Sequence, residues 1–570
     1  MHYFVLASDY DGTLATDGQV HDETIAALER LKDSGRKLIL VTGRELEDLL
    51  RVFPKVDLFD CIVAENGALL YWPSSREEKL LGERPPEEFV KILRDRNVNP
   101  LSVGRVIVAT WHPNETTVIQ AIQELGLELQ VIFNKGAVMV LPSGVNKAAG
   151  LKAALDELKI SPHNVVGVGD AENDHAFLNL CECSVAVANA LPVVKERADF
   201  VTNNRRGAGV VELIDRLIAS DLEELATQIK RHDILLGSQE DGSEVNIKPF
   251  GTSILLAGTS GGGKSTLATA VLERIASENY QFCIFDPEGD YENFDNAIVL
   301  GDSKREPSVK EVLDVLEKPN QNAVVNLLGI PLKDRPGFFA QLLPQLQEMR
   351  SRVGRPHWIV VDEAHHLMPA SWNPAVLTLP QKLNGMLLIT VHPEHVAPAA
   401  LLSVDDMIAV GQFPEEKIEE FCNSIDEYPP NMTPPNLEPG EALAWFKTTK
   451  QNPFKFRITP GKMERRRHVR KYAEGQLGED KSFYFRGPHC KLNLRAQNLI
   501  LFTQIAEGVD DETWLFHLQQ HDYSRWFRGA IKDEGLADEA EQIEKRAYLS
   551  PAESRNLIKE AIERRYTLPA

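Results

Sequence analysis

Two aspartates stand two residues apart near the start of the chain, in the segment Asp9-Tyr10-Asp11-Gly12-Thr13, directly after an apolar run. The Asp9 carboxylate can attack phosphorus and form an acyl phosphate. The Asp11 carboxyl group can protonate the leaving oxygen and later activate water, and Gly12 lets the chain turn sharply. By itself the pair is also typical of an acidic turn or a metal-binding loop. It indicates phosphoryl transfer only if other phosphate-binding residues accompany it.

Two further segments supply such residues. Thr42, Gly43 and Arg44 follow a second apolar segment, where a hydroxyl group and backbone N–H groups can hold a phosphoryl oxygen. Lys147 lies at the start of a predicted helix, and its ammonium group can neutralise both an attacking carboxylate and a phosphate. We therefore predict that Thr42 and Lys147 are catalytic and that Gly43 and Arg44 contact the substrate.

A third acidic segment follows the predicted strand Val165–Val168. Asp170 and Asp174 offer the oxygen ligands that suit Mg²⁺ bound next to a phosphate. All four motifs stand at the carboxyl ends of predicted parallel strands, which is where open α/β sheets place their ligands. The sequence therefore predicts one site built from four separate segments.

The order and spacing of these motifs resemble the haloacid dehalogenase phosphatase superfamily over residues 1–215. The resemblance implies that Asp9 is the nucleophile and that Asp11 is the acid and base. It also implies that Mg²⁺ is held by Asp9, Asp170 and the main-chain carbonyl of Asp11, with Asp174 in support. The expected activity is hydrolysis of a phosphate monoester through an aspartyl-phosphate.

Residues 85–142 resemble the type-II cap of the sugar-phosphatase subfamily, which implies a phosphosugar or a similar small metabolite as substrate. Asn66, between Glu65 and Gly67, borders this unit. We predict that Asn66 contacts the substrate, with a hinge role as the alternative. Trp111 either reaches in from the cap or packs inside it.

A second phosphate site is indicated by Gly258–Ser265, which matches the pattern G-x₄-G-K-[ST] between an apolar strand and a helix. Backbone N–H groups of such a loop cradle phosphates, Lys264 reaches the β- and γ-phosphates, and Ser265 can bind Mg²⁺. At the end of a later strand, Asp362 can orient the Mg²⁺ shell and Glu363 can polarise water. The predicted nucleotide-binding residues of the loop are Gly258, Thr259, Ser260, Gly261, Gly262, Gly263, Lys264, Ser265 and Thr266.

Residues 233–460 resemble the HerA/FtsK-type motor ATPases, because Asp290 and His392 also follow strands of this region. The resemblance implies that both residues lie near the γ-phosphate, where Glu and Gln are usual in the family. It further implies a homo-oligomeric ring, commonly a hexamer, in which a neighbour supplies an arginine. The candidates for that arginine, which alternatively form a solvated surface, are Arg350, Arg352 and Arg355.

Alternating strand-like and helix-like segments predict an α/β protein. We expect a Rossmann-like domain of the haloacid dehalogenase type with a small α+β cap, then a RecA-like P-loop α/β domain and a mostly helical C-terminal domain. The aromatic residues of the last domain are expected in its core, and the basic run Arg465–Lys471 is expected at a solvated helix end or subunit contact. The predicted boundaries are 1–84 and 143–215 for the first core, 85–142 for the cap, 216–232 for a linker helix, 233–460 for the P-loop domain and 461–570 for the C-terminal domain.

Composition limits the partners of the 570-residue chain. Its net charge of −22 argues against non-specific nucleic-acid binding, although a local basic patch would escape this argument. Apolar runs are too short to span a bilayer, and six cysteines without zinc spacing suggest reduced thiols. We therefore expect a cytoplasmic protein.

Three functions fit these motifs. The leading hypothesis is a bifunctional enzyme in which a Mg²⁺-dependent phosphatase is fused to an ATP-binding and ATP-hydrolysing ring module. The second is a nucleic-acid processing machine, with a DNA-translocating ring and an end-trimming phosphatase. The third is an ATP-sensing assembly in which ATP organises a ring that regulates the phosphatase.

Overall fold

The computed structural model describes all residues except 135, 227, 260–261, 372–383, 433–435, 450–451, 462–476, 478–481, 532, 547 and 567–570. Its contacts divide the chain into two compact units. The first comprises Met1–Lys264 and Arg274–Ile458, and the second comprises Ser265–Glu273 and Thr459–Ala570. The first unit contains two large sheets, and we call the parts built on them the N-terminal module and the P-loop module.

The N-terminal module is built on an eight-stranded sheet in the order β12-β11-β10-β1-β2-β3-β4-β5. Its first six strands are parallel, and β4 and β5 continue the sheet as an antiparallel hairpin. The strands are β1 Val5–Ser8, β2 Lys37–Val41, β3 Cys61–Ala64, β4 Leu69–Trp72, β5 Glu77–Leu80, β10 Val165–Gly169, β11 Cys183–Ala186 and β12 Phe200–Val201. The helices are α1 Asp22–Asp33, α2 Leu46–Val52, α5 Lys147–Glu157, α6 His175–Leu180, α7 Pro192–Arg197 and α8 Arg206–Ser220.

The central strands are apolar because helices cover both faces of the sheet. Every residue of β1, β3 and β10 is buried, which is the pattern of a parallel sheet inside an α/β protein. Helix α1 begins with two acidic residues and carries Arg30 and Lys32 in its last turn, in agreement with the helix dipole. The strand ends that follow β1, β2 and β10 therefore open at one edge of the sheet.

A four-stranded antiparallel sheet, in the order β6-β7-β9-β8, is inserted between β5 and α5. It has its own apolar core, centred on Phe89, Val118 and Val140. The residue pattern predicts helices over 87–96 and 114–125 and strands over 105–111, 128–133 and 137–141. The structure contains these five elements and adds the short strand β6. The elements are α3 Glu87–Asp95, β6 Leu101–Val103, β7 Val108–Trp111, α4 Glu115–Leu125, β8 Leu129–Asn134 and β9 Ala137–Pro142.

The P-loop module is built on an eleven-stranded sheet in the order β14-β13-β23-β22-β21-β15-β20-β19-β16-β18-β17. Strands from β21 to β17 in that order are parallel, and the remaining strands are antiparallel. The strands are β13 Ile234–Ser238, β14 Glu244–Ile247, β15 Ile254–Gly258, β16 Phe282–Asp286, β17 Ile298–Leu300, β18 Ala323–Asn326, β19 Trp358–Val361, β20 Met386–Thr390, β21 Asp406–Val410, β22 Glu441–Phe446 and β23 Phe454–Ile458. The helices are α10 Val309–Leu316, α11 Arg335–Val353, α12 Ala364–Leu367, α13 Pro398–Leu401 and α14 Pro414–Ser424, together with α9 Lys264–Ser277, of which Ser265–Glu273 belong to the second unit.

The C-terminal part of the second unit is mostly helical, as predicted. Its aromatic core includes Trp514, Tyr523 and Phe502, all buried, and Trp514 stacks on Tyr523 at 4.4 Å between ring centroids. The predicted basic run Arg465–Lys471 lies outside the described residues. The elements are β24 Phe483–Phe485, β25 Leu494–Ala496, α15 Leu499–Gly508, α16 Asp511–Gln519, α17 Asp522–Trp526, α18 Glu534–Glu544 and α19 Pro551–Tyr566.

The predicted linker helix over residues 216–232 is wrong. Helix α8 ends at Ser220, and Asp221 and Leu222 both adopt left-handed backbone angles, with φ of 52° and 60°. Among the described residues between Asp221 and His232, one short helical turn follows, at Glu223–Leu225. The ending is anchored by Arg36, whose guanidinium donates to the Leu217 carbonyl and to the Asp221 carboxylate. Within the described part of the chain, no helix combines the length and the apolarity needed to cross a bilayer.

Candidate active site and nucleotide loop

Lys147 joins two of the predicted catalytic segments. Asn146 caps α5 by accepting a hydrogen bond from the Ala149 N–H group at 2.9 Å, which sets Lys147 at the first helical position. The Lys147 Nζ atom lies 2.6 Å from Asp9 Oδ1 and 2.6 Å from Asp174 Oδ1. All three side chains are almost wholly buried. The predicted convergence of Asp9, Lys147 and Asp174 is therefore present.

Asp170 and Asp174 form the acidic wall of the same pocket. One Asp174 oxygen accepts hydrogen bonds from the Asp170 and Ala171 N–H groups at 2.8 Å each, which leaves the other for Lys147. Gly12 has φ of 89°, and a Cβ atom there would stand 2.5 Å from Asp170 Oδ2. Glycine is required at position 12 because the first loop and the Asp170 carboxylate approach so closely.

The electrostatics of the pocket favour a bound cation. One carboxylate oxygen from each of Asp9, Asp170 and Asp174 lies within 4.8 Å of the others, and Lys147 is the cation that contacts two of them. Burial and the neighbouring Asp174 raise the pKa of Asp9 to about 7, although Lys147 opposes this. A nucleophile must be ionised, so a divalent ion at this all-oxygen site would offset the excess negative charge. The residues present thus fit Mg²⁺.

Asp11 is held outside this buried group by Arg44. The Arg44 guanidinium donates to both oxygens of Asp11, each at 2.7 Å, and to Asp48 at 2.5 Å. Such a two-pronged ion pair orients the Asp11 carboxylate. The Arg44 backbone N–H group donates to Thr42 Oγ1 at 3.1 Å, so Thr42 and Arg44 form one turn. Arg44 therefore positions Asp11, in addition to its predicted role in binding substrate.

A cleft of about 840 Å³ opens above these residues. Asp9, Asp11 and Lys147 line its floor, and side chains of the four-stranded sheet line the opposite wall. Trp111 lies in that wall and is 51% exposed, so it reaches toward the cleft instead of packing in the core of the inserted sheet. The cleft is lined by Asp9, Asp11, Gly43, Arg44, Glu45, Glu47, Asp48, Arg51, Ser102, Ile107, Ala109, Thr110, Trp111, Asn134, Ala137, Met139, Lys147 and Ala171.

Glu65 connects the core sheet to the inserted unit. The Glu65 carboxylate accepts hydrogen bonds from the N–H groups of Arg105, Val106 and Ile107 at 2.7–3.0 Å. This contact fits the hinge alternative for the segment. Asn66 has φ of 56° and is 1% exposed, and its Oδ1 atom accepts from Asn173 Nδ2 at 3.1 Å.

Sequence reasoning missed several residues that shape the site. Asn173 contacts Asn66, and Asn189 Nδ2 donates to the Gly12 carbonyl at 2.8 Å, which holds the first catalytic loop. Met139 and Asn134 face the cleft from the inserted sheet. Asn173 and Asn189 each stand just after a strand of the core sheet, so their position was a usable signal. The sequence gives no such positional signal for Met139.

Replacing Lys147 with Met is expected to lower the stability of the N-terminal module by about 3–5 kcal/mol at pH 8, because it leaves buried carboxylates without a counter-charge. Thermal unfolding followed by circular dichroism measures this loss. It should shrink as the pH falls toward 5, where the carboxylates take up protons. Lys152→Met, on the exposed side of the same helix, is the matched control. Equal unfolding temperatures for the two variants would contradict the assigned charge balance.

The predicted nucleotide loop joins β15 to α9. Gly263 has φ of 100°, and Lys264 begins the helix. The Lys264 ammonium donates to the carbonyls of Gly258 and Thr259 at 3.0 and 3.1 Å, so it is folded over the loop. Thr259, Gly262, Ser265 and Thr266 lie where the sequence predicts, in the loop and the first turn of α9, whereas Ser260 and Gly261 lie outside the described residues.

Charged residues predicted to act on nucleotide gather at the ends of β16 and β19. Burial raises the pKa of Asp362 to about 7, and it also raises the pKa of Glu363. Asp290 adds to both shifts, whereas Lys264 and His392 oppose the shift of Glu363. Glu363 therefore lies within electrostatic range of Lys264, Asp290 and His392, and Asp362 lies within range of Glu363 and Asp290.

Two backbone features accompany this arrangement. Asp286 accepts four backbone hydrogen bonds from Glu288 through Tyr291 at 2.8–3.3 Å, which fixes the turn that carries Asp290. Glu363 has φ of 40°, a strained conformation for a residue other than glycine. Strain of this kind commonly accompanies functional sites.

Two of the three arginines predicted to act on a neighbouring subunit are not available for that role. Arg350 donates to the carbonyls of Pro356, His357, Asn384 and Gly385 at 2.5–3.0 Å. Arg355 is 1% exposed, and its two terminal guanidinium nitrogens donate to Gln281 and to backbone carbonyls that include that of Lys159 in the N-terminal module. Arg355 does not form part of a solvated surface. Arg352 remains a candidate.

Comparison with known proteins agrees with this geometry. The family model for haloacid dehalogenase-like hydrolases matches residues 6–124 and 96–214. Phosphoglycolate phosphatase 2 of Saccharolobus solfataricus is 32% identical over 226 residues, covering 38% of this chain and 93% of that protein.

The chain belongs to the haloacid dehalogenase-like hydrolase family. The motif-based prediction of this family is confirmed. Phosphoglycolate phosphatase of Methanothermobacter thermautotrophicus is 29% identical over 222 residues, covering 37% of this chain and 98% of that protein. A solved haloacid dehalogenase-like hydrolase from Bacteroides thetaiotaomicron is 20% identical and covers 38% of this chain and 99% of that one, with a TM-score of 0.33.

The second module also matches a family model. Residues 236–335 match the central domain of helicase HerA, as the motifs predict. The match contains the nucleotide loop and Asp290. Glu363 and His392 lie beyond it, so their assignment depends on their position at the ends of β19 and β20.

Proposed function

We propose that this member of the haloacid dehalogenase-like family hydrolyses a small phosphate monoester through an aspartyl-phosphate on Asp9. The observation that carries the proposal is the position of Lys147, 2.6 Å from both Asp9 and Asp174 beneath an open cleft. Lys147 holds the Oδ1 atom of Asp9, so we assign Oδ2 as the attacking atom. The Asp9–phosphorus bond forms as the ester P–O bond breaks.

Asp11 acts as the general acid in the first step and as the general base in the second. It first gives a proton to the leaving alkoxide and then removes one from the water that cleaves the aspartyl-phosphate, which releases inorganic phosphate and restores Asp9. Asp11 must be protonated for the first step, so its ion pair with Arg44 must loosen when substrate enters. Mg²⁺ held by Asp9 and Asp170, with support from Asp174, would supply the positive charge that keeps Asp9 ionised and stabilises the phosphoryl oxygens.

The substrate class follows from relatives and from the cleft. The relatives named above are phosphoglycolate phosphatases, and the cleft, at about 840 Å³, has room for a phosphosugar. We therefore propose phosphoglycolate and small phosphosugars as the first compounds to test. A screen of these metabolites with the purified chain and Mg²⁺, with and without ATP, measures released phosphate. Absence of turnover on every phosphate monoester would reject the proposal.

We further propose that the P-loop module binds and hydrolyses ATP and that the chain assembles into a ring. Support comes from the match to the HerA central domain and from the shared electrostatics of Lys264, Asp362 and Glu363. A DNA-translocating role is the second candidate. DNA-stimulated ATP hydrolysis at low salt would favour it, and the net charge of −22 opposes it.

Mg²⁺ is expected to make the thermal stability of the N-terminal module less dependent on pH. Because the pKa of Asp9 is raised from 3.8 to about 7, its contribution to stability is complete below pH 3.8 and is lost as the pH rises through 7. When a chelator removes divalent ions, the unfolding temperature should therefore decrease as the pH is raised from 5 to 8. Saturating Mg²⁺ should restore it at pH 8 by several degrees, since the ion binds the ionised form.

The Asp9→Asn variant separates the contribution of Asp9 to the pH dependence of stability from that of Asp362, because the pKa of Asp362 is raised to about the same value. The variant should show a smaller fall with pH and a smaller response to Mg²⁺. If wild-type and variant proteins respond alike, Asp9 is not the group that titrates.

A further inference from the structure

Three side chains form a buried polar cluster where the two modules of the first unit meet. We call His163, Glu182 and His232 the junction cluster. His163 lies in the turn before β10, Glu182 lies directly before β11, and His232 lies two residues before β13. Glu182 is 0% exposed, and His163 is 7% exposed. The cluster is separate in sequence from the residues assigned to either phosphate site.

The three side chains have the composition and spacing of a metal site. One ligand atom from each lies within 4.8 Å of the others. His163 Nδ1 is 2.6 Å and His232 Nε2 is 4.0 Å from Glu182 Oε2. Two imidazoles and one carboxylate, with a fourth position left for water, are typical of Zn²⁺.

Several polar atoms of the cluster are buried without a hydrogen-bond partner. They are Glu182 Oε1 and both ring nitrogens of His232. A small cavity of about 30 Å³ adjoins them and is lined by Glu182, His232, Lys248 and Phe250, among others. Buried polar atoms rarely remain unpaired, and a cavity of this size holds one water molecule or ion.

The surrounding hydrogen bonds select the nitrogen atoms that can bind a cation. His163 Nε2 lies 2.6 Å from the Glu278 carbonyl and must donate its proton there, which leaves the lone pair of Nδ1 facing Glu182. His232 Nδ1 lies 3.9 Å from the Glu278 carboxylate, so Nε2 is the nitrogen that faces Glu182. Metal-binding histidines are commonly oriented by such oxygen partners on the opposite nitrogen.

We propose that His163, Glu182 and His232 bind one divalent transition-metal ion of the Zn²⁺ type, with water completing its coordination. Two ligands come from the N-terminal module and the third from the segment that enters the P-loop module. Binding therefore ties the two modules together beside Asn279 and Tyr280. Tyr280 already contacts the cluster, because its Oη atom donates to Glu182 at 2.7 Å. The competing occupant is a single proton shared by His163 and Glu182.

The test uses the purified full-length protein in saturating Mg²⁺, which occupies the oxygen-ligand sites. Wild-type protein is expected to bind about one Zn²⁺ per chain through this cluster, to give visible d–d absorption with Co²⁺, and to unfold several degrees higher when Zn²⁺ is present. His232→Ala and Glu182→Gln should each weaken Zn²⁺ binding by roughly 100-fold or more. Elemental analysis after dialysis and competition with a chelating dye provide the stoichiometry and affinity.

The matched control is the double variant His392→Ala and His395→Ala, which removes an exposed cluster of similar composition. It should bind Zn²⁺ as the wild type does. If His232→Ala binds Zn²⁺ with unchanged affinity, or if the wild type shows no Co²⁺ absorption, the cluster holds a proton and the proposal is overturned. The Co²⁺ spectrum of wild-type protein decides the question even if Glu182→Gln does not fold.

Discussion

Replacing Asp9 with Asn is expected to abolish phosphate release, with a loss in kcat on the order of 10⁴-fold or more. The amide is nearly the same size as the carboxylate, but it is not a nucleophile and cannot form the acyl phosphate. Lys147 and Asp174 remain in place, so the fold of the pocket should persist. Steady-state release of inorganic phosphate, with the best substrate from the metabolite screen and Mg²⁺, measures the effect.

Asp33→Asn is the matched control, because it makes the same chemical change in the last residue of α1, away from the cleft. It should retain wild-type turnover. A second check is trapping with a mimic of the aspartyl-phosphate, such as beryllium fluoride with Mg²⁺, which should bind the wild type and fail with Asp9→Asn. Turnover by Asp9→Asn within tenfold of the wild type would contradict the nucleophile assignment.

Replacing Glu363 with Gln is expected to reduce ATP hydrolysis by about 10²–10⁴-fold while ATP binding is retained. Asp362 and Glu363 directly follow β19, and burial raises the pKa of Glu363 toward the range useful for a general base. The amide keeps the size of the side chain but cannot accept a proton from water. Coupled measurement of ADP release and equilibrium binding of a fluorescent ATP analogue separate the two effects.

Two further variants distinguish Glu363 from its neighbours. Lys264→Ala should lose binding as well as hydrolysis, because its ammonium group is predicted to contact the phosphates. Glu394→Gln, at an exposed position beside His392, should hydrolyse ATP normally. If Glu363→Gln hydrolyses ATP at the wild-type rate, another group activates the water, and His365, 3.4 Å from Glu363, is the next to test.

The sequence was sufficient for those features in which a short segment carries its own structural signal. An apolar strand followed by acidic or glycine-rich residues predicted the catalytic loops at Asp9 and Asp170 and the nucleotide loop at Gly258. Parallel strands place such loops at one edge of a sheet, so convergence followed from the element order. The predicted linker helix over 216–232 was wrong because the helical composition of this segment did not reveal that Asp221 would bind Arg36, which lies far away in the sequence.

Tertiary structure alone decided which charges meet. Arg44 and Asp11 are 33 residues apart and form the ion pair that orients the acid, whereas Arg350 and Arg355 became internal donors to backbone carbonyls. His163 and His232 likewise meet at Glu182 only because the two modules pack together. Secondary-structure propensity and strand pattern depend on neighbouring residues, so they can be predicted from the sequence. The partner of a long polar side chain depends on which distant segments burial brings within 3–4 Å, and that distance is set by the packing of the whole unit.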